Sequence, residues 1–142
     1  MEDKVFGTVM FDHGWVKKEN ITLWNRQYQL DIRTSSYANQ MPTLIQQEAY
    51  LDFRKRLNMI SDISAVKICQ FISQQEIDGV STDVETLLTS FQEYVKPDEV
   101  LFFQDGSYAI ICNTDWWGED IAVLISGRDI VVDSGYMLEF RV

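Results

Sequence analysis

The stretch Val100–Val132 reads VLFFQDGSYAIICNTDWWGEDIAVLISGRDIVV, and its interpretation decides the fold. VLFF and SYAIIC flank Gln104-Asp105-Gly106, and Asp-Gly is a strong hairpin signal because both positions tolerate positive φ. IAVLIS and DIVV flank Gly127-Arg128, which makes a second hairpin. AIIC and IAVLI are apolar without alternation, so they are expected to be central strands covered on both faces. YMLEFRV, Tyr136–Val142, reads as a further strand.

The opening third repeats this character. VFGTVMF (Val5–Phe11) reads as a strand, followed by a turn at Asp12-His13-Gly14. ITLW and QYQLDIR flank Asn25-Arg26. Ile21 and Leu23 alternate with polar neighbours, as do Tyr28, Leu30 and Ile32, which is the period of a half-buried hairpin. Between the strand regions the period changes. Pro42 suits a first helical turn, and Ile45, Ala49, Phe53 and Leu57 recur at four-residue spacing. Arg54-Lys55-Arg56 sits where cations complement a helix C-terminus. Ser61 and Asp62 offer a new N-cap for a second helix through Ile63, Val66 and Ile72. Thr82 and Glu85 fit a capping box opening a third helix along Val84, Leu87, Leu88, Phe91 and Val95, which Pro97 stops. Strands, then two to three helices, then strands predict one α+β domain over residues 1–142. Its helices pack on a mostly antiparallel sheet.

The 142 residues are 46% hydrophobic and 13% aromatic, enough to build one core and too apolar for wholesale disorder. MEDKVFG has no apolar signal region, and no run approaches a membrane span, so a soluble cytoplasmic protein is expected. Cys69 and Cys112 read as small buried hydrophobes beside Ile68, Ile110 and Ile111. The net charge of −10 is unevenly placed. Residues 1–69 carry eight acids and nine bases, whereas residues 70–142 carry fourteen acids against Lys96, Arg128 and Arg141. Such a field repels nucleic acid and anionic lipid and attracts basic proteins.

No motif assigns catalysis. His13 is the only histidine and reads as a surface polar group. Asp12 beside it would point to the opposite face if the two were in a strand. There is no nucleophile elbow, phosphate-cradling glycine loop or metal-binding motif, so no cofactor and no metal are expected. Asp115, Glu119 and Asp120 lack the spacing of a calcium loop. The five residues Asp115, Trp116, Trp117, Glu119 and Asp120 instead read as a partner-binding turn. In extended conformation one tryptophan would face inward and the other outward, as an anchor for a basic partner.

The run VFGTVMFDHGW, then ITLWNRQYQLDI, a helical middle, and VKPDEVLFFQDGSYAIIC leading into DWWGEDIAV resembles a family of small acidic bacterial proteins. Members lie near polymorphic toxin genes, and some look like immunity proteins of contact-dependent growth inhibition systems. The resemblance implies a non-catalytic protein that binds a basic partner, a cognate toxin domain such as a nuclease. It transfers no catalytic residue, and Gly118-Glu119-Asp120 departs from the family's pattern of acid, histidine, glycine. A general interaction domain without a toxin partner fits the same acidic surface, and a carboxylate-based hydrolase would need two acids converging in a deep pocket.

Overall fold

The computed structural model describes residues 1–142. It is an α+β fold with a seven-stranded sheet, helices on one face, and a separate two-stranded ribbon near its start. The ribbon pairs β1 (Glu2–Asp3) with β2 (Gly7–Thr8). The sheet follows chain order: β3 (Met10–Phe11), β4 (Trp15–Leu23), β5 (Arg26–Thr34), β6 (Val95–Phe102), β7 (Tyr108–Thr114), β8 (Ile121–Ser126) and β9 (Asp129–Ser134). Every neighbouring pair is antiparallel except β5 and β6, which run parallel. A parallel pair needs a long crossover, and the helices supply it. They are α1 (Leu44–Lys55), α2 (Leu57–Gln74) and the short α3 (Val84–Leu88). None is long and apolar enough to cross a membrane.

The alternation expected of the first hairpin is present: Ile21, Leu23, Leu30 and Ile32 are all buried toward the helices. The turn falls one residue earlier than Asn25-Arg26. Trp24 and Asn25 form it, both at positive φ (54° and 62°), as a two-residue turn matching strand twist requires. A buried tryptophan is an unusual occupant of that conformation. Its surroundings hold it there. The Trp24 amide donates to Ser61 Oγ at 2.7 Å, its indole N–H donates to Ser64 Oγ at 3.0 Å, and its carbonyl accepts from Gln92 Nε2 at 2.6 Å.

Several boundaries differ from the sequence reading, each for a local reason. Val5–Phe11 is not one strand. Asp3 folds back as a buried acceptor for the amides of Val5 and Phe6, which breaks the segment into short pieces. Helix α1 starts after Pro42, at a capping box in which Thr43 and Gln46 each bond the other's backbone N–H. Its expected stripe holds at Ala49, Phe53 and Leu57 and fails at its first member. Ile45 is half exposed while Gln46 and Gln47 are buried. Gln46 Nε2 donates to the carbonyls of Ser35 (2.9 Å) and Phe102 (3.2 Å), so the burial is satisfied.

The break between α1 and α2 is real but lies at Arg56, not Ser61. There the guanidinium bonds Asp52 Oδ2 (2.7 Å) and the Gly127 carbonyl (2.9 Å), tying the helix pair to the last hairpin. The third helix is capped by Asp83 and ends at Leu88. Val95 and Pro97 therefore belong to β6, not to a helix. Pro97 is tolerated because the strand is irregular between Pro97 and Glu99, and pairing with β5 begins only at Glu99. The Asp105-Gly106 turn is longer than two residues, spanning Phe103 to Ser107. Gly127-Arg128 closes its hairpin as expected.

The core has two sides. Twenty-six buried residues fill the space between sheet and helices. The other face of β6–β8 carries a smaller cluster of Phe103, Ala109 and Leu124. Met137 and Leu138 cover it. The segment expected as a last strand supplies that cover: Gly135–Leu138 form a turn of 3-10 helix and Glu139–Val142 continue without regular structure. Ser134 begins this departure by accepting the Tyr136 amide at 3.2 Å. Central strands β7 and β8 are thus covered on both faces, as their unbroken apolar character requires.

Candidate functional site: an acid-rimmed cleft on the outer sheet face

Asp115–Gly118 form bends between β7 and β8, with Gly118 at φ +72°. The backbone is not extended, so the tryptophans do not alternate in and out. They stack on each other, 5.9 Å between centroids and 29° between planes. The Trp116 indole donates to the Tyr94 carbonyl at 2.8 Å, and Trp117 meets Phe71 of α2 edge-on at 5.2 Å. Both are half-buried against the main core. This corrects the expectation of one outward anchor.

The acids of the same turn go to the other side. Thr114 Oγ1 donates to the Glu119 carbonyl at 2.5 Å, Ser134 Oγ donates to Glu119 Oε2 at 3.1 Å, and the Gly135 amide donates to the Asp120 carbonyl at 2.8 Å. These bonds join the start of β8 to the end of β9. They bring Glu119 and Asp120 to the mouth of a cleft of about 520 Å³ on the outer face. Its apolar wall is Leu101, Phe103, Ile111 and Leu138, and its rim carries Glu119, Asp120, Glu139 and Arg141. Of the five expected residues, the cleft takes Glu119 and Asp120. Asp115 stays exposed at the turn's tip, and the two tryptophans brace the turn from the helix side.

The sequence reading missed Tyr136, Glu139, Phe140 and Arg141. Tyr136 is 68% exposed and Phe140 93% exposed, the most open aromatics of the chain. Phe140 also holds φ +69°, a conformation rare for a bulky side chain. The available signal was Asp133-Ser134-Gly135, a local turn sequence that ends β9 before Tyr136. Arg141 reaches Asp105 Oδ2 at 3.5 Å and Ser107 Oγ at 3.4 Å, with its guanidinium 5.9 Å from the Phe103 ring centroid. Hydrogen bonds from Ser107 hold the Asp105 carboxyl below its ordinary pKa, and Arg141 adds to this.

Other polar groups are committed to structure. Asp52 Oδ2 accepts from Arg56 and from Tyr108 Oη at 2.9 Å. Burial, with Asp52 adding to it, pushes the Tyr108 phenol well above its ordinary value. Lys17, Glu19, Tyr50 and Arg54 form one contact group between β4 and α1. His13 is exposed in its turn, and its Nδ1 lies 3.0 Å from Asp12 Oδ1. The pair forms because this is a turn, where the opposite-face rule for strand neighbours does not hold. Cys69 and Cys112 are buried free thiols, as expected, and burial pushes Cys69 up to about 11.

Comparison with protein-family models, with curated proteins and with solved structures finds no match.

Proposed function

We propose that this chain is an immunity-type protein of the bacterial cytoplasm. It binds a cognate toxin with its acidic half and neutralises it without catalysis. The observation that carries this reading is that the negative charge is unpaired. Of the fourteen acids in residues 70–142, only Glu99 and Asp105 take part in ion pairs, with Arg33 and Arg141. Asp98, Asp115, Asp120, Asp129, Asp133 and Glu139 are all exposed. In residues 1–69, by contrast, Lys17, Lys18, Arg33, Arg54 and Arg56 each have a carboxylate partner.

A toxin that cuts nucleic acid carries a positive cleft for phosphate. An acidic inhibitor gains association rate and specificity from opposing that field. Asp115, Glu119 and Asp120 would supply charge at the contact, on a turn that Trp116 and Trp117 brace from the helix side.

The test is co-expression with the product of the adjacent toxin-type gene. Restored growth and a co-purifying complex support the reading. A toxic product that this chain neither binds nor suppresses contradicts it.

A further inference from the structure

Resting on that reading, we infer that the cleft between β6–β7 and the segment Gly135–Arg141 is the receptor for an arginine side chain presented by the basic partner.

The outer sheet face divides into two halves of different chemistry. On β4–β6 its charges neutralise one another: Lys18 bonds Asp31 at 3.0 Å, and Arg33 bonds Glu99 at 2.8 Å. That half has no outstanding electrostatic demand. Around the cleft the balance is open. Glu119, Asp120 and Glu139 form no ion pair, and the one cation of the rim, Arg141, is already directed to Asp105. An apolar wall thus lies beneath three carboxylates that have no cationic partner, Glu119 being held only by the Ser134 hydroxyl.

Arginine fits this combination better than other cationic groups. Its three-carbon stem can lie on Leu101 and Ile111 while the guanidinium reaches the rim. A planar guanidinium bonds a carboxylate through two parallel N–H groups and stacks on aromatic faces, which an ammonium does less well. Tyr136 supplies an exposed ring beside the acids. The chain itself shows that the neighbourhood accommodates a guanidinium, since Arg141 sits near the Phe103 ring with a carboxylate and a hydroxyl at its head. The exposed Phe140 ring next to Arg141 adds an apolar contact at the margin, as interface anchors do.

The test is a titration of the full ¹⁵N-labelled chain with a blocked hexa-arginine peptide, with hexa-lysine and spermidine as separate probes, followed by amide chemical shifts. We expect shifts centred on Glu119, Asp120, Tyr136 and Glu139. Arginine should bind at least about threefold tighter than lysine, a difference of about 0.65 kcal/mol or more. The Glu119→Gln/Glu139→Gln variant should bind about tenfold more weakly, and Tyr136→Ala should erase the preference for arginine over lysine. Both variants change exposed or rim positions, and their unchanged spectra away from the cleft will verify folding.

Shifts centred on Asp129 and Asp133, equal response to spermidine, absence of binding, or variants that bind as well as the parent would each overturn the inference. So would concentration-dependent shifts of cleft residues without peptide, which assign the cleft to a second copy of the chain. Growth rescue by a chain whose cleft ignores arginine would remove the inference and leave the immunity reading standing. Arginine binding in the cleft without rescue would do the reverse.

Discussion

Trp117 of the acid-flanked turn meets Phe71 of α2 edge-on, 5.2 Å between ring centroids, so the bulkiest part of that turn belongs to the helix layer. The stacked Trp116 shares this commitment through its bond to the Tyr94 carbonyl. Replacing Trp117 by alanine is expected to cost about 2–4 kcal/mol, near or just below the range for aromatic truncation because the ring is only half-buried. Urea unfolding gives that number. Binding of a cationic peptide to the folded variant should stay within about twofold of the parent. An unchanged unfolding midpoint with lost binding would make the tryptophan the anchor after all.

The second expectation concerns Trp24, held at positive φ by Ser61, Ser64 and Gln92. Ser64→Ala removes the acceptor of a buried indole N–H and should destabilise by about 1–3 kcal/mol. A variant as stable as the parent would mean that the serine bond does not hold this turn.

Two glycines separate backbone strain from steric conflict. A Cβ at Gly14 would lie 2.0 Å from the Thr34 carbonyl oxygen, and its φ of +121° is closed to other residues. A Cβ at Gly127 meets nothing within 4 Å, at φ +60°. Gly127→Ala should therefore cost about 1–2 kcal/mol, the left-handed penalty alone, while Gly14→Ala should cost clearly more. Thermal unfolding of the pair checks the order; equal losses would refute it.

Stability should fall as pH rises above about 9. Burial raises the proton affinity of Cys69, Cys112 and Tyr108 in the folded state, with Cys69 pushed up to about 11 from an ordinary value near 9. The unfolded chain releases these protons first, so it binds fewer of them in this window and is favoured. The stabilisation is full below pH 9 and fades toward 11 for Cys69. Urea midpoints at pH 7.5, 9 and 10.5 will show this decline, and a flat profile would contradict it. The same burial should leave both thiols unreactive toward iodoacetamide until the chain unfolds.

The sequence made much of this fold legible where one local signal dominated. Apolar runs without alternation marked β7 and β8, and Gly127-Arg128 marked the last turn, because those features need no distant partner. The third helix was overextended because Phe91 and Val95 continue its spacing, yet Val95 pairs with Thr114 in the sheet. Tertiary pairing outweighed local period there. Gln46 and Gln47 show the same limit in reverse: polar side chains face inward because Ser35, Phe102 and Asp3 offer acceptors there.

At the candidate site, Glu119 and Asp120 were identified from their place beside the tryptophans. Their separation from those tryptophans was not, because it depends on the bend at Gly118 and the bonds from Ser134 and Gly135. Tyr136 and Glu139 join them only because Gly135–Val142 lies over the outer face instead of adding a strand. No residue pattern within that segment dictates the docking.

The most direct measurement is the association rate of this chain with the cognate toxin domain proposed for it, taken across a range of ionic strength. The rate should fall steeply with added salt, and Glu119→Gln/Asp120→Asn/Glu139→Gln should bind about tenfold more weakly than the parent. A rate indifferent to salt, together with a triple variant that binds like the parent, would contradict recognition through the acidic cleft.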